Sequence, residues 1–220
     1  MKEFNLVSNL HKKTKRNYLE RMINQKINCM DVAKKYDERY WDGNRKYGYG
    51  GYKYIPGRWT GVAKKLIKKF KLTNNSKILD IGCGKAYLLY EIKKILPNCK
   101  VYGFDISKYA IAKAHSSIRK NLYVYDAKKK LKYRKKYFDL IISIGCLHNL
   151  EINYLKNCIE EIERIGKNKY ILVESYRNNK ELFNLQCWAL TCESFFSKRE
   201  WIWLFKEFKY SGLYEFIYFE

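Results

Sequence analysis

Asp80, Gly82, Cys83 and Gly84 close the apolar run ILDIGCGKAYLL, residues 78–89, whose second half has helical spacing. Glycines at such a point let the backbone approach a ligand where a side chain would clash. A helix beginning just behind them presents unpaired N–H groups, which suit a carboxylate or a phosphate. A lone glycine turn is common, so a second group has to support it. Asp105 does: it ends VYGFDIS, residues 101–107, about 20 residues past the turn. That spacing puts a carboxylate at the tip of the neighbouring strand, within reach of both hydroxyls of a ribose. On its own, Asp105 would be an ordinary loop aspartate.

Two further residues could move a proton. His148 lies in GCLHN, residues 145–149; an imidazole with an ordinary pKa of about 6.5 can take a proton from a hydroxyl or ammonium. It could equally cap the following helix or pack beside a ligand. Glu174 ends an apolar run and is the second candidate base, or else a carboxylate that steadies a loop. The seven cysteines are an odd number with no Cys-x-x-Cys pair, and the three histidines are dispersed. That pattern predicts scattered thiols in a reducing compartment and no metal site.

These residues need elements to hold them. Helical spacing covers Thr14 to about Tyr40, with Tyr18, Met22, Ile23, Ile27, Met30 and Val32 near one stripe. Residues 1–13 carry no clear pattern and are expected to fray. A short amphipathic helix fits Thr60–Phe70. An alternation follows: strand 77–82, helix Ala86–Ile95, strand Lys100–Phe104, helix Lys108–Lys120 and strand Leu122–Tyr125. It continues with strand Phe138–Ile144, helix Leu150–Ile165 and strand Lys169–Val173; Ser197 caps a helix through Phe208, and Leu213–Phe219 closes the chain as a strand. Such alternation predicts an α/β fold, a doubly wound and mostly parallel Rossmann-like sheet. Residues 1–58 form an N-terminal extension and 59–220 the sheet domain, together one compact unit. Only one strand is evident after the last helix. It is expected antiparallel to its neighbour at the sheet edge, in a sheet of six strands.

The run 80–86 has no third glycine where a dinucleotide fingerprint needs one. It resembles instead the first motif of the class I S-adenosylmethionine-dependent methyltransferases, an acidic residue followed by G-x-G-x-G, with Ala86 in place of the last glycine. The resemblance implies S-adenosyl-L-methionine as cofactor and S-adenosyl-L-homocysteine as product. It implies that Asp80, Gly82, Cys83 and Gly84 hold the methionine end and that Asp105 and Ile106 hold the ribose. Tyr125-Asp126-Ala127 matches the family's third strand end, placing Asp126 and Ala127 near the adenine. Phe138-Asp139 opens a fourth strand like the family's, which runs through Ile144 into the active site. The Asn/Asp-Pro-Pro-Tyr signature of amino-methylating enzymes is absent. Cys146 lacks the preceding proline of RNA cytosine methyltransferases, and Thr191-Cys192 lies too far beyond the fifth strand for their second motif.

RKYGYGGYKYIPGRW, residues 45–59, mixes aromatics, glycines and basic residues. Tyr40, Trp41, Tyr47, Tyr49, Tyr52, Arg58 and Trp59 would wall a site from above, with glycines that let the segment fold and open. Aromatic faces also favour a sulfonium charge. A platform for single-stranded nucleic acid uses the same residue types, and plain packing is a third reading. QCWALTCESFF, residues 186–196, is the second candidate wall. This segment, the chain length and the C-terminal stretch 201–220 resemble small bacterial methyltransferases of surface-polysaccharide gene clusters. That implies acceptors such as a sugar hydroxyl or a capsule phosphoramidate.

The chain has 220 residues and a net charge of +23, from 45 Lys+Arg against 22 Asp+Glu. RNA would be one partner for such a charge. The basic residues are spread along the chain and rise with Asn, Ile and Tyr, as AT-rich codon usage produces, so composition accounts for most of it. Steering of a small, anionic acceptor is a by-product. No apolar run approaches the roughly 18 residues of a membrane helix, and the N-terminus has no apolar core after its charges. The expectation is a cytoplasmic enzyme with no membrane insertion. It transfers a methyl group to a small polar acceptor, with RNA as the alternative substrate.

Overall fold

The structure, a computed structural model, describes residues 1–11 and 16–220. Its frame is one sheet of seven strands: β1 (Lys2–Glu3), β2 (Lys77–Ile81), β3 (Lys100–Asp105), β4 (Leu122–Val124), β5 (Phe138–Ile144), β6 (Gly166–Glu174) and β7 (Leu213–Ile217). Helices α1 (Ser8–His11), α2 (Tyr18–Ile23), α3 (Lys26–Ala33) and α4 (Glu38–Trp41) lie between β1 and the aromatic segment. Helix α5 (Thr60–Phe70) leads into β2. Helices α6 (Tyr87–Ile95), α7 (Lys108–Ala112), α8 (Ser116–Arg119), α9 (Ile152–Ile165), α10 (Asn179–Trp188) and α11 (Lys198–Glu207) lie along the rest of the chain.

Side chains alternate across each strand. Leu140 and Ile142 of β5 and Tyr170 and Leu172 of β6 enter one core layer, which α5 and α6 cover with Leu66, Leu89 and Ile92. Ile141, Ile171 and Val173 enter the other, covered by Ile159 and Ile162 of α9 and Trp201 and Phe205 of α11. Burial on both faces is why these strands read as nearly continuous apolar runs. The strand order is β1-β7-β6-β5-β2-β3-β4. The chain therefore winds outward in both directions from β2 and β5, and a crevice opens beyond their C-terminal ends.

The closing strand differs from expectation. β7 runs parallel to β6 along its whole length, from Tyr170 opposite Leu213 to Glu174 opposite Ile217. Between them the chain passes through α10 and α11, and a helical crossover returns it to the end where β6 began, which makes the pair parallel. The seventh strand is β1, parallel to β7 at the edge. Its anchor is Glu215, fully buried, which accepts the backbone N–H groups of Leu6 at 2.6 Å, Val7 at 3.0 Å and Ser8 at 2.6 Å, and the Tyr170 hydroxyl. Far from fraying, the described part of the N-terminus is tied to the sheet.

The helix expected over 14–40 is also different. Thr14 lies outside the described residues, and the remainder is broken into α2, α3 and α4. Gln25 and Tyr36, at φ 50° and 48°, make the breaks. The stripe inferred from spacing is not the buried face: Met22, Ile23 and Ile27 are exposed, whereas Cys29 and Ala33 are buried. The helix expected over 108–120 divides at His115, whose Nδ1 accepts the Ser117 N–H at 3.2 Å and starts α8. Among the described residues no helix is long and apolar enough to cross a membrane.

Candidate active site

Both glycines of the turn after β2 have left-handed backbones, φ 73° at Gly82 and 54° at Gly84. A Cβ on Gly82 would lie 2.4 Å from Cys146 Sγ, and one on Gly84 2.8 Å from the Trp41 ring. Neither position has room for a side chain. Ala86, at φ 57°, keeps the left-handed conformation at the place of the motif's last glycine. Asp105 braces this turn: its carboxylate accepts the Gly84 N–H at 2.8 Å and the Ser107 N–H at 2.9 Å. Burial raises its pKa, against the pull of these hydrogen bonds.

Asp80 is buried, and among the described residues its Oδ1 has no hydrogen-bond partner. Burial, reinforced by the Asp105 charge, pushes its pKa well above the usual carboxylate range. An orphaned carboxylate oxygen at the edge of a cavity is a place for an ammonium group. The α-amino group of a methionine moiety fits it.

Two adjoining cavities lie over the crevice. The larger, about 440 Å³, has Asp80, Gly82, Cys83 and Gly84 on one side and His148 and Glu174 on another. Tyr49, Tyr52, Arg58 and Trp59 also line it, as do Trp188–Thr191 of the second expected wall. The smaller, about 290 Å³, is lined by Asp105, Ile106, Asp126 and Ala127. Gly82, Ile144, Tyr40, Trp41 and Tyr49 border both. Tyr47 borders neither and packs instead against the small cluster of Cys29, Ala33 and Leu190. The exposed part of Tyr49, 42% of its surface, lines the cavities.

The aromatic segment is fastened at two points. Trp41 is buried, donates Nε1–H to Ser107 Oγ at 2.9 Å and stacks on Tyr49 at 5.1 Å. Lys85 Nζ donates to Asp42 at 2.7 Å and to the Tyr52 carbonyl at 2.8 Å. Tyr109 adds its hydroxyl to Asp42 at 2.8 Å.

Strand register separates the two carboxylates. Asp80 pairs across β5 with the level of Tyr170, so Glu174 stands four residues further along, a rise of about 13 Å. One carboxylate thus serves the glycine-turn end and the other the far wall. Beside Glu174, His148 is nearly inaccessible. Its Nδ1 accepts the Glu174 backbone N–H at 3.2 Å, which puts the proton of the neutral ring on Nε2. Nε2 faces Glu174 Oε2 at 3.5 Å. Burial lowers the His148 pKa, with the Glu174 charge opposing. Neither ring nitrogen therefore offers a free lone pair to an acceptor. Sequence reasoning also missed Arg21, Tyr36 and Asn149, which line the cavities; the first two come from the stretch taken for one plain helix.

A doubly wound sheet with a glycine turn and an orphaned carboxylate at its switch point has the layout in which open α/β sheets bind ligands. Residues 72–210 match the family model described as "Methyltransferase domain". The chain belongs to this family: it is a methyltransferase. Several solved structures are similar. The YcgJ protein of Bacillus subtilis shares 18% identity over 66% of this chain and 66% of its own, with a TM-score of 0.52. A SAM-dependent methyltransferase from Archaeoglobus fulgidus shares 20% over 68% and 66%, with a TM-score of 0.55. Geranyl diphosphate C-methyltransferase from Streptomyces coelicolor, solved with Mg2+, geranyl diphosphate and S-adenosyl-L-homocysteine, shares 13% over 66% and 58%, with a TM-score of 0.53. The matches span about two thirds or less of those chains, and at these identities the likeness concerns the fold alone. No match was found among curated proteins.

Proposed function

We propose that the protein methylates an oxygen atom of a small polar acceptor held in the larger cavity, and that Glu174 takes the acceptor's proton. The observation that carries this reading is one cavity with the glycine turn and Asp80 on one side and Glu174 on the other. Asp80 would receive the cofactor's ammonium group, and Asp105, Ile106, Asp126 and Ala127 its adenosine. When bound, the cofactor supplies a methyl group on a positively charged sulfur. The chain's own work is to hold the acceptor in line with that group, a large part of the rate of such transfers. The faces of Trp41 and Tyr49 favour the positive charge. His148 acts as a positioning residue, holding the Glu174 backbone through Nδ1 and facing its carboxylate with Nε2–H.

The resemblance to polysaccharide-cluster methyltransferases supports a sugar hydroxyl or a capsule phosphoramidate as the acceptor. Seven free thiols are in keeping with the cytoplasm. RNA is the second reading, favoured by the basic aromatic segment; the walls around Glu174 suit a small molecule better than a strand.

Turnover of labelled cofactor with a panel of polar metabolites, nucleotide-linked sugars and RNA tests the reading. A small-molecule product is expected. Glu174→Gln should lower kcat at least about 100-fold, the usual contribution of a general base, while binding S-adenosyl-L-homocysteine as tightly as the native enzyme. An undiminished kcat would remove Glu174 from the base role, and activity confined to RNA would remove the small acceptor.

A further inference from the structure

Beside Glu174 the larger cavity carries a group of guanidiniums that methyl transfer to a neutral acceptor would not require. Arg21 of α2 lies 4.4 Å from the ring centre of Trp188, at the end of α10. Arg45, from the aromatic segment, lies 5.0 Å from the same ring, and Arg16 lies 5.3 Å from it. All three arginines and Trp188 line the cavity.

Arg21 donates Nε–H to the Trp188 carbonyl at 3.3 Å and an Nη1–H to the Arg45 carbonyl at 2.7 Å. Arg45 gives its Nη1 to the carbonyls of Gly48, at 2.9 Å, and Tyr49, at 2.7 Å. Carbonyl oxygens fix these side chains but neutralise nothing. Among the described residues, neither Arg21 nor Arg45 has a carboxylate within ion-pair distance. A guanidinium has five N–H donors. Nη2 of Arg21, and Nε and Nη2 of Arg45, are therefore left for a ligand. Burial, aided by the nearby Arg45 charge, lowers the pKa of Arg21 to about 10. Arg21 and Arg45, two like charges on one ring fixed through backbone contacts, are stabilised by an anion that arrives from outside.

We infer that Arg21 and Arg45, with Arg16 beside them, bind a phosphoryl group on the methyl acceptor. A carboxylate is matched by one bidentate arginine. Two or three converging guanidiniums match the greater charge and the several oxygens of a phosphate ester. The inference rests on the small-acceptor reading above and narrows it to acceptors such as a sugar phosphate or a nucleotide-linked sugar. The phosphoryl group is the handle by which the acceptor is held; Glu174 serves the oxygen that is methylated.

Calorimetry on protein saturated with S-adenosyl-L-homocysteine tests this, with inorganic pyrophosphate, glucose 1-phosphate and UDP-glucose as probes. Binding of at least one probe is expected, weakened about tenfold by Arg21→Gln and by Arg45→Gln, as for loss of a charged hydrogen bond. Arg21→Lys and Arg45→Lys should recover part of it, which separates lost charge from lost folding. Preference for glucose 1-phosphate supports a monoester, and preference for UDP-glucose a diphosphate. S-adenosyl-L-homocysteine affinity should be the same in all variants. Probe affinity unmoved by both Gln variants would overturn the inference. So would a matching loss of S-adenosyl-L-homocysteine binding, because the arginines would then hold the methionine carboxylate. Tight binding of a single-stranded oligonucleotide, lost in both variants, would overturn it in favour of RNA. Active Glu174→Gln enzyme would sink the base assignment and leave anion binding untouched, so the two failures can be told apart.

Discussion

Asp80 is a buried carboxylate with one oxygen unanswered by any group among the described residues, in a position where a bound ammonium would answer it. Its folded-state pKa is raised above the unfolded value, so the native state holds the proton more tightly than the unfolded chain does. The stability tied to that proton is lost as pH rises through the folded pKa. Asp80→Asn removes the charge and keeps the shape. We expect the variant to be more stable without cofactor by about 1–2 kcal/mol in denaturant titrations at pH 8. It should bind S-adenosyl-L-homocysteine at least about tenfold more weakly in calorimetry, since a charged hydrogen bond is gone. A variant less stable than the native protein would show that Asp80 has a structural partner. The positions of Asp80 and Asp105 were legible in the sequence because they lie at or next to strand ends, and strand ends beside a glycine turn keep fixed spacings. The surroundings of His148 were not. Which ring nitrogen carries the proton depends on the Glu174 backbone N–H, 26 residues away. Arg21 was hidden for the same reason: it acquires meaning only from Trp188 across the fold.

The aromatic segment is an element with no secondary-structure period, and its fastening could not be read from spacing. Its composition left a lid, a nucleic-acid platform and plain packing open; the side chains that hold it down, Lys85 and Tyr109, sit in later elements. The helix expected over 14–40 failed because apolar spacing cannot reveal left-handed breaks at Gln25 and Tyr36. The orientation of β7 failed because the expectation followed the family's usual antiparallel closing strand, whereas the helical crossover through α10 and α11 brings the chain back to run parallel to β6. The clamp itself makes a prediction. The Lys85 side chain is 4% exposed and holds Asp42, 25% exposed, together with the Tyr52 carbonyl. Removing one partner leaves the other charge poorly answered, at a cost of about 1–3 kcal/mol for a pair that still touches water. Hydrogen exchange in Lys85→Gln should therefore quicken across residues 42–53 while the amides of β2 keep most of their protection. Binding of S-adenosyl-L-homocysteine should slow exchange in the native segment, because a lid loses mobility when its site is filled. Uniform acceleration throughout the chain would mean that Lys85 supports the whole fold and not the segment.

At the scale of the whole molecule the open matter is what a net charge of +23 is for. A polymer and a small anion make different demands on it. A strand of RNA neutralised at about six phosphates releases counterions along its length, and its affinity falls with salt at a log–log slope of about −4. A small acceptor carrying one phosphoryl group meets two or three arginines and little else. Its slope should be about −1 to −2, because few counterions are displaced. Charges farther than about 8 Å from the acceptor are screened at physiological ionic strength, however many lysines the surface bears. Steady-state kinetics in a salt series from about 50 to 300 mM should thus raise KM by about 6- to 36-fold, while kcat stays level. S-adenosyl-L-homocysteine, whose amino and carboxylate charges cancel, should bind almost independently of salt over the same series. A slope near −4 would assign the basic surface to a polyanion, and a flat KM would mean that the acceptor carries no charge at all.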